Sequence, residues 1–242
     1  MIQLEEKTTK VRVLAIIPAY NEAGMIVRVA QGVLNHKLQP SIEIDALVID
    51  DGSTDATAEL CQRNGLPVLA LHNNLGIGGA VQCGYRYAHE RRYDIAFQFD
   101  GDGQHNLDDL GNLLAPILAD QADFVIGSRF LNSSGYQSTY LRRVGIRWLS
   151  AMLRLMTGRR ISDPTSGFRA ANARVIARFS HHYPHDYPEP ESVMHLLREG
   201  YRVVEIPSSM LARSHGHSSI KGFKNVYYMA KVSLALLITR WG

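Results

Sequence analysis

Two aspartates one residue apart, Asp100 and Asp102, close the stretch Phe97-Gln98-Phe99-Asp100-Gly101-Asp102-Gly103-Gln104-His105. Successive side chains of a strand point to opposite faces, so both carboxylates are predicted to share one face at a strand end. Hard oxygens that close together repel unless a cation lies between them, which makes the pair a candidate divalent-metal site. Gly101 and Gly103 let the backbone bend around such an ion. A plain Asp-Gly hairpin turn would use the same residue types, so the rest of the chain has to decide. His105 reads as a turn residue.

The elements that would carry this pair are visible upstream. Val11–Ile17, Ile44–Ile49, Pro67–Leu71 and Ile95–Phe99 are short apolar runs, each followed by polar or glycine-rich residues. Helical stretches follow at Ala23–Leu34, Ala56–Asn64 and Ala80–Arg91, with Ser53 or Thr54 available as an N-cap for the second. Alternating strands and helices predict an α/β fold with a parallel sheet, whose ligands bind at the carboxyl ends of the strands. Four ends then converge on one crevice: Tyr20-Asn21-Glu22, Asp50-Asp51, Asn73 to Gly79, and Asp100 with Asp102. A dinucleotide-binding fold does not fit, because the first strand lacks glycines after it and Gly76-Ile-Gly78-Gly-Ala-Val81 lacks the last glycine of that fingerprint. No glycine-lysine phosphate loop is present either.

Six motifs, in this order, resemble the family 2 glycosyltransferases of the GT-A fold, in the branch of dolichyl-phosphate mannose synthase and bacterial polyprenyl-phosphate glycosyltransferases. They are Ile17-Pro-Ala-Tyr-Asn-Glu22, Val48-Ile-Asp-Asp-Gly-Ser-Thr-Asp55, Asn74-Leu-Gly-Ile-Gly-Gly-Ala80, Asp100-Gly-Asp-Gly-Gln-His105, Gly127-Ser-Arg129 and Asp163-Pro-Thr-Ser-Gly-Phe168. The resemblance implies an inverting transferase that takes a sugar from a nucleoside diphosphate. It implies that Pro18, Tyr20, Glu22 and Asp51 line the nucleotide site, and that Asp100, Asp102 and Gln104 hold Mg²⁺ or Mn²⁺. Such an ion would stabilise the leaving diphosphate, which makes Asp102 catalytic. A single GT-A domain over residues 1–242 is expected, with a nucleotide-sugar half (11–130), an acceptor half (131–212) and a basic loop with a C-terminal amphipathic helix (213–242).

The second half differs in composition. Asp123–Arg129 reads as a fifth strand that brings the Arg129 guanidinium toward the crevice. Between Leu141 and Arg178 there are nine arginines and one acidic residue, Asp163. Leu141, Val144, Trp148, Leu149, Met152 and Met156 recur at helical spacing among Arg142, Arg143, Arg147 and Arg154, giving a basic amphipathic helix suited either to packing on the sheet or to an anionic membrane surface. In the resembled branch, the arginines corresponding to Arg129 and Arg143 hold an acceptor phosphate.

Helices are expected at Asn172–Phe179 and Ser192–Glu199, and a strand at Tyr201–Ile206. Glu189 falls where many relatives place a general base, although the surrounding sequence departs from their Glu-Asp pair. Arg213, His215 and the Ser218 and Ser219 hydroxyls resemble a late loop that covers the donor diphosphate. His181-His182-Tyr183-Pro184-His185-Asp186 matches no closed zinc ligand set and reads as a polar loop.

Overall charge is only +3, which gives no argument for nucleic acid, but Leu211–Gly242 carries five basic residues and no acidic one. Its most apolar stretch, Val232–Ile238, is seven residues including Ser233, against the ~20 that a membrane span requires. Cys61 and Cys83 read as reduced thiols of a cytoplasmic protein. The expected activity is metal-dependent transfer to a polyprenyl phosphate by an enzyme peripheral on the inner membrane face, with a membrane protein as a possible partner. Transfer to a saccharide hydroxyl with Glu189 as base, and a non-catalytic nucleotide-sugar-binding subunit, are the alternatives.

Overall fold

The computed structural model describes residues 10–131, 140–210 and 231–234. Its strands are β1 (Val11–Ala19), β2 (Ile42–Asp50), β3 (Val68–Ala70), β4 (Ile95–Gln98), β5 (Phe124–Ser128), β6 (Arg169–Asn172) and β7 (Val203–Pro207). Its helices are α1 (Ile26–Asn35), α2 (Thr57–Arg63), α3 (Gly76–Glu90), α4 (Leu110–Leu118), α5 (Tyr140–Thr157), α6 (Ala173–His181) and α7 (Pro188–Arg198). The strands form one sheet in the order β3-β2-β1-β4-β6-β5-β7. All neighbours are parallel except β6, which runs antiparallel to both β4 and β5.

Side-chain alternation on β1 and β2 builds a core on each face of the sheet. Leu14, Ile16, Leu47 and Ile49 pack with residues of α3, α5, α6 and α7, while Val13, Ala15, Ile17, Ala46 and Val48 pack with α1, α2 and α4. This double burial explains why these strands read as unbroken apolar runs. The glycines before Ala80 lie inside α3 rather than ahead of it. A Cβ on Gly78 would come within 2.4 Å of the Pro184 carbonyl oxygen, so the loop before α7 can close onto the first turn of α3 only over a glycine.

Several boundaries differ from the sequence expectation for identifiable reasons. β1 continues through Pro18, because its ladder with β4 ends at Ile16 while the ladder with β2 runs on to Ala19. Helix α2 starts at Thr57 with neither Ser53 nor Thr54 as cap; the Asp55 carboxylate instead accepts from the Thr57 amide at 2.9 Å. No strand is expected at β6, since four residues that open on an arginine lack a strand-like pattern. In α5 the packed stripe is Ile146, Leu149 and Leu153, with Met152 and Met156 partly covered, while Val144 and Trp148 face outward. Residues 231–234 are helical; Val232 is buried in the same core, and Ser233 accepts from the Trp148 indole at 3.0 Å. The remainder of the expected C-terminal helix lies outside the described residues.

Candidate active site

The carboxyl ends of β1, β2 and β4 lie side by side. At the end of β1, Asn21 adopts φ +56° and uses its side-chain oxygen to accept from the amides of Thr54 at 2.8 Å and Asp55 at 3.3 Å. That pins the loop after β2 beside Tyr20, which stands 49% exposed at the rim. Asp51 is buried at the end of β2 and accepts from the Leu75 amide at 2.7 Å, so it also anchors the entry to α3. Burial raises its carboxyl above the usual range, against the opposing bonds from Leu75 and Gly76. The Glu22 amide donates to Thr57 Oγ1 at 2.9 Å, and Pro18 is buried with its carbonyl accepting from Gly101.

Asp100 and Asp102 lie just beyond β4, in a turn that Gly103 completes at φ +70°. Asp100 is held at both oxygens: Gln98 Nε2 donates to Oδ1 at 2.8 Å, and His105 Nε2 lies 3.0 Å from Oδ2. Burial opposes its charge, but His105, Gln98 and Arg169 outweigh the burial and keep the carboxyl below the usual range. Asp102 Oδ1 accepts from the Gln104 amide at 3.0 Å. The expectation of a simple turn at His105 is corrected, because the ring is buried, stacked on Phe168 at 5.2 Å and set edge-on to Phe99 at 5.5 Å. Gly167 passes so close that a Cβ there would stand 2.7 Å from Asp100 Oδ2.

Among the described residues no group of three or more His, Cys, Asp or Glu side chains is arranged to hold a metal by itself. Two carboxylates and an amide nevertheless suit Mg²⁺ or Mn²⁺, which share their shell with substrate phosphates and water. The glycine at 167 leaves open the side of Asp100 that any larger residue would occupy.

Arg129 follows β5 and meets the turn Asp163–Phe168. Its Nε donates to Asp163 Oδ2 at 2.6 Å, and Nη2 donates to Asp163 Oδ1 at 2.7 Å and Thr165 Oγ1 at 2.9 Å. Glu205 on β7 holds that turn by accepting from the Ser162 amide at 2.7 Å and the Asp163 amide at 2.8 Å. Glu189 lies in the first turn of α7, where burial raises its carboxyl; Arg169 and Arg129 oppose the rise and Asp100 adds to it. Glu189 thus stands within electrostatic reach of both the aspartate turn and Arg129. Arg143 lies further along, on the exposed face of α5. Arg213, His215 and Ser218 lie outside the described residues.

Beside Arg129 opens a groove of about 930 Å³, whose lining includes Phe130, Ile146 and Leu155 together with Arg143, Arg147 and Arg154. The Ser128 and Ser162 hydroxyls, 2.8 Å apart, bridge its floor to the end of β5.

Asp163 and Arg169 had no role in the sequence reading beyond membership of a turn and a basic segment. The one available signal for Arg169 was a charged residue inside the apolar run Phe168–Ala171. His181–Asp186 forms the end of α6 and the loop before α7, lining a separate cleft of about 460 Å³ with Glu191 and His195.

A seven-stranded sheet with one reversed strand and a carboxylate turn at its centre defines a GT-A glycosyltransferase fold. The family model for "Glycosyl transferase family 2" matches residues 14–183, and the chain belongs to that family: it is a family 2 glycosyltransferase. It is 28% identical over 247 residues to a UDP-N-acetylglucosamine–dolichyl-phosphate N-acetylglucosaminyltransferase of Methanococcus voltae, covering 92% of this chain and 96% of that one. It is 32% identical over 246 residues to an undecaprenyl-phosphate mannosyltransferase of Micrococcus luteus, covering 96% and 94%. Among solved structures, glucosyl-3-phosphoglycerate synthase from Mycobacterium tuberculosis, in complex with Mn²⁺, UDP and glucosyl-3-phosphoglycerate, superposes with a TM-score of 0.66 at 18% identity, covering 97% of this chain and 81% of that one. No helix among the described residues is long and apolar enough to cross a membrane.

Proposed function

We propose that this chain transfers a sugar from a nucleoside diphosphate to a polyprenyl phosphate, with Mg²⁺ or Mn²⁺, while peripheral on the cytoplasmic face of a membrane. The observation that carries the reading is the groove beside Arg129, which combines apolar walls with the cations Arg143, Arg147 and Arg154. An acceptor that is both phosphate and hydrocarbon needs that combination, whereas a free sugar does not. The similarity to the dolichyl- and undecaprenyl-phosphate transferases supports the same acceptor class.

In this reading Tyr20, Glu22 and Asp51 receive the base and ribose, with Asn21 keeping the loop after β2 in place. Asp100, Asp102 and Gln104 would hold the ion, which when bound would supply Lewis-acid stabilisation of the departing diphosphate. Arg129, oriented by Asp163, faces the acceptor phosphate, and Arg143 assists from α5. A phosphate oxygen is already ionised near neutral pH and attacks without a base, so Glu189 serves to shape the sugar site. By resemblance alone, Arg213, His215 and Ser218, which lie outside the described residues, are assigned to binding of the donor diphosphate.

The test is a panel of UDP- and GDP-sugars with Mn²⁺ and a short-chain polyprenyl phosphate, scored by glycosylated lipid product. Lipid-linked sugar is expected. Transfer to oligosaccharide hydroxyls with none to polyprenyl phosphate would move the assignment to the saccharide acceptor. Binding of a nucleotide sugar without transfer or hydrolysis would make the chain a non-catalytic subunit.

A further inference from the structure

Arg169 is the largest fully buried side chain of the molecule's described part, with no exposed surface, and it lies directly behind the candidate active site. Its strand position puts it beside Gln98 on β4 and Ile126 on β5. Among the described residues its fork bonds neutral oxygens rather than a carboxylate. Nε donates to the Ser166 carbonyl at 2.9 Å, and Nη2 donates to the same oxygen. Nη1 donates to Ser192 Oγ at 2.9 Å and points at the Glu189 carbonyl at 3.5 Å. The guanidinium also stands over the Phe124 ring, 5.5 Å from its centroid. A buried cation without a directly bonded anion is costly, so its place requires compensation nearby. The two carboxylates in electrostatic reach are Asp100 and Glu189.

The segments bonded by this fork are the two that wall the crevice. Ser166 belongs to the turn that brings Asp163 to Arg129 and Gly167 to Asp100. Ser192 and Glu189 belong to the first turn of α7. Only a planar fork with several fixed donors can serve both segments at once.

We propose that Arg169 is a positioning residue for transfer: its buried fork ties the turn Asp163–Phe168, which passes Asp100 at Gly167, to the start of α7, which carries Glu189. This rests on the assignment of that crevice as the active site. The positive charge favours the ionised form of both Asp100 and Glu189, and the fork fixes the two segments against each other. Arg169 touches neither donor nor acceptor, so its loss acts on turnover rather than on substrate affinity.

The experiment compares Arg169→Met, Arg169→Lys and Ser192→Ala with the native chain by turnover, by Mn²⁺ binding measured from the spin resonance of free Mn²⁺, and by hydrogen exchange. Misplacement by about 1 Å typically costs about 10²-fold, so Arg169→Met is expected to lose about that factor in kcat with donor KM changed less than about threefold. Arg169→Lys keeps the charge without the fork and is expected to remain at least about tenfold below the native rate. Mn²⁺ binding to Arg169→Met is expected to be as tight as native or tighter, since a positive charge near Asp100 has been removed. The amides of Glu191, Ser192 and Val193 are expected to exchange about tenfold faster in Arg169→Met. Native kcat in Arg169→Met, full recovery in Arg169→Lys, or unchanged exchange in that turn would each overturn the proposal. Should Arg169→Met not fold, Ser192→Ala decides: a kcat about three- to tenfold lower at unchanged KM supports the proposal, and native kcat overturns it. A native chain inactive with every donor would defeat the functional reading, while the exchange measurement would still decide the role of Arg169.

Discussion

Arg129 and Asp163, 34 residues apart, form a buried two-point ion pair, with Nε to Oδ2 at 2.6 Å and Nη2 to Oδ1 at 2.7 Å. The Arg129 side chain is 6% exposed and that of Asp163 is fully covered. Breaking a buried ion pair by removing one partner typically costs roughly 3–5 kcal/mol. Asp163→Ala is therefore expected to lower the melting temperature by about 10 °C, at roughly 2–4 °C per kcal/mol for a chain of this size. Differential scanning calorimetry checks it, and a shift below about 2 °C would mean that Arg129 finds another partner.

The aspartate turn gives a graded expectation. Asp102→Ala should abolish transfer while leaving the melting temperature within a few degrees, and excess chelator should do the same to the native chain. His105 acts one step further out, because it bonds Asp100 and stacks on Phe168. His105→Phe preserves the stack and removes the bond. Residues that orient a metal-binding carboxylate typically matter about 10–100-fold, so half-saturation by Mn²⁺ should rise by about that factor in a titration of activity. An unchanged Mn²⁺ requirement would show that the bond to Asp100 does no orienting.

Glu191, in α7, provides a pH expectation independent of catalysis. Burial first and Asp186 second push its carboxyl up to about 7 from 4.5. With the folded value raised, the contribution to stability is full below about pH 4.5 and is lost as pH rises through 7. Glu191→Gln cannot ionise, so it should raise the melting temperature by a few degrees at pH 8 and leave it unchanged at pH 4.5. An equal gain at both pH values would trace the effect to packing.

The exposed face of α5 carries Arg143, Arg147 and Arg154 beside Trp148 and Leu155, the last 84% exposed. Each cation near an anionic bilayer contributes about 1 kcal/mol before screening. Arg147→Gln with Arg154→Gln should thus weaken binding to phosphatidylserine vesicles by about 30-fold at low salt, measured by co-sedimentation. Equal binding to neutral and anionic vesicles would remove the electrostatic basis for a membrane role.

Much of the fold over residues 11–130 was legible, because strands buried on both faces leave continuous apolar runs and their polar ends mark the crevice. Asp100 and Asp102 stood out for the same reason. The supports of the site did not, since His105, Asp163 and Arg169 act through contacts with partners that no local pattern announces. Asp163 lies 34 positions from Arg129, and Arg169 reaches 23 positions ahead to Ser192. Strand β6 was hidden because it is short, antiparallel in a parallel neighbourhood, and opens on a residue type that strands seldom bury. The stripe on α5 was misplaced by part of a turn, as periodicity alone cannot say which of several apolar residues faces the sheet.

The choice between acceptors turns on Glu189 and Arg129 together. General-base assistance is typically worth about 10²–10⁴ in rate, and a neutral sugar hydroxyl needs it whereas an ionised phosphate does not. Glu189→Gln keeps the shape and removes the basicity, so with a polyprenyl phosphate acceptor it should lower kcat less than about tenfold. Arg129 needs a different design, because Arg129→Ala would leave Asp163 buried and unpaired and confuse acceptor binding with instability. The double change Arg129→Gln with Asp163→Asn removes both charges while keeping side chains that can bond each other. With a phosphate acceptor it should raise the acceptor KM or lower kcat by about tenfold or more, since a charge-assisted bond contributes roughly 1.5–3 kcal/mol. Both variants are assayed with the same donor, and melting curves confirm the fold. A hundredfold loss in Glu189→Gln with the double variant nearly silent would reverse the acceptor assignment, because a base would then be essential and a phosphate-binding guanidinium superfluous.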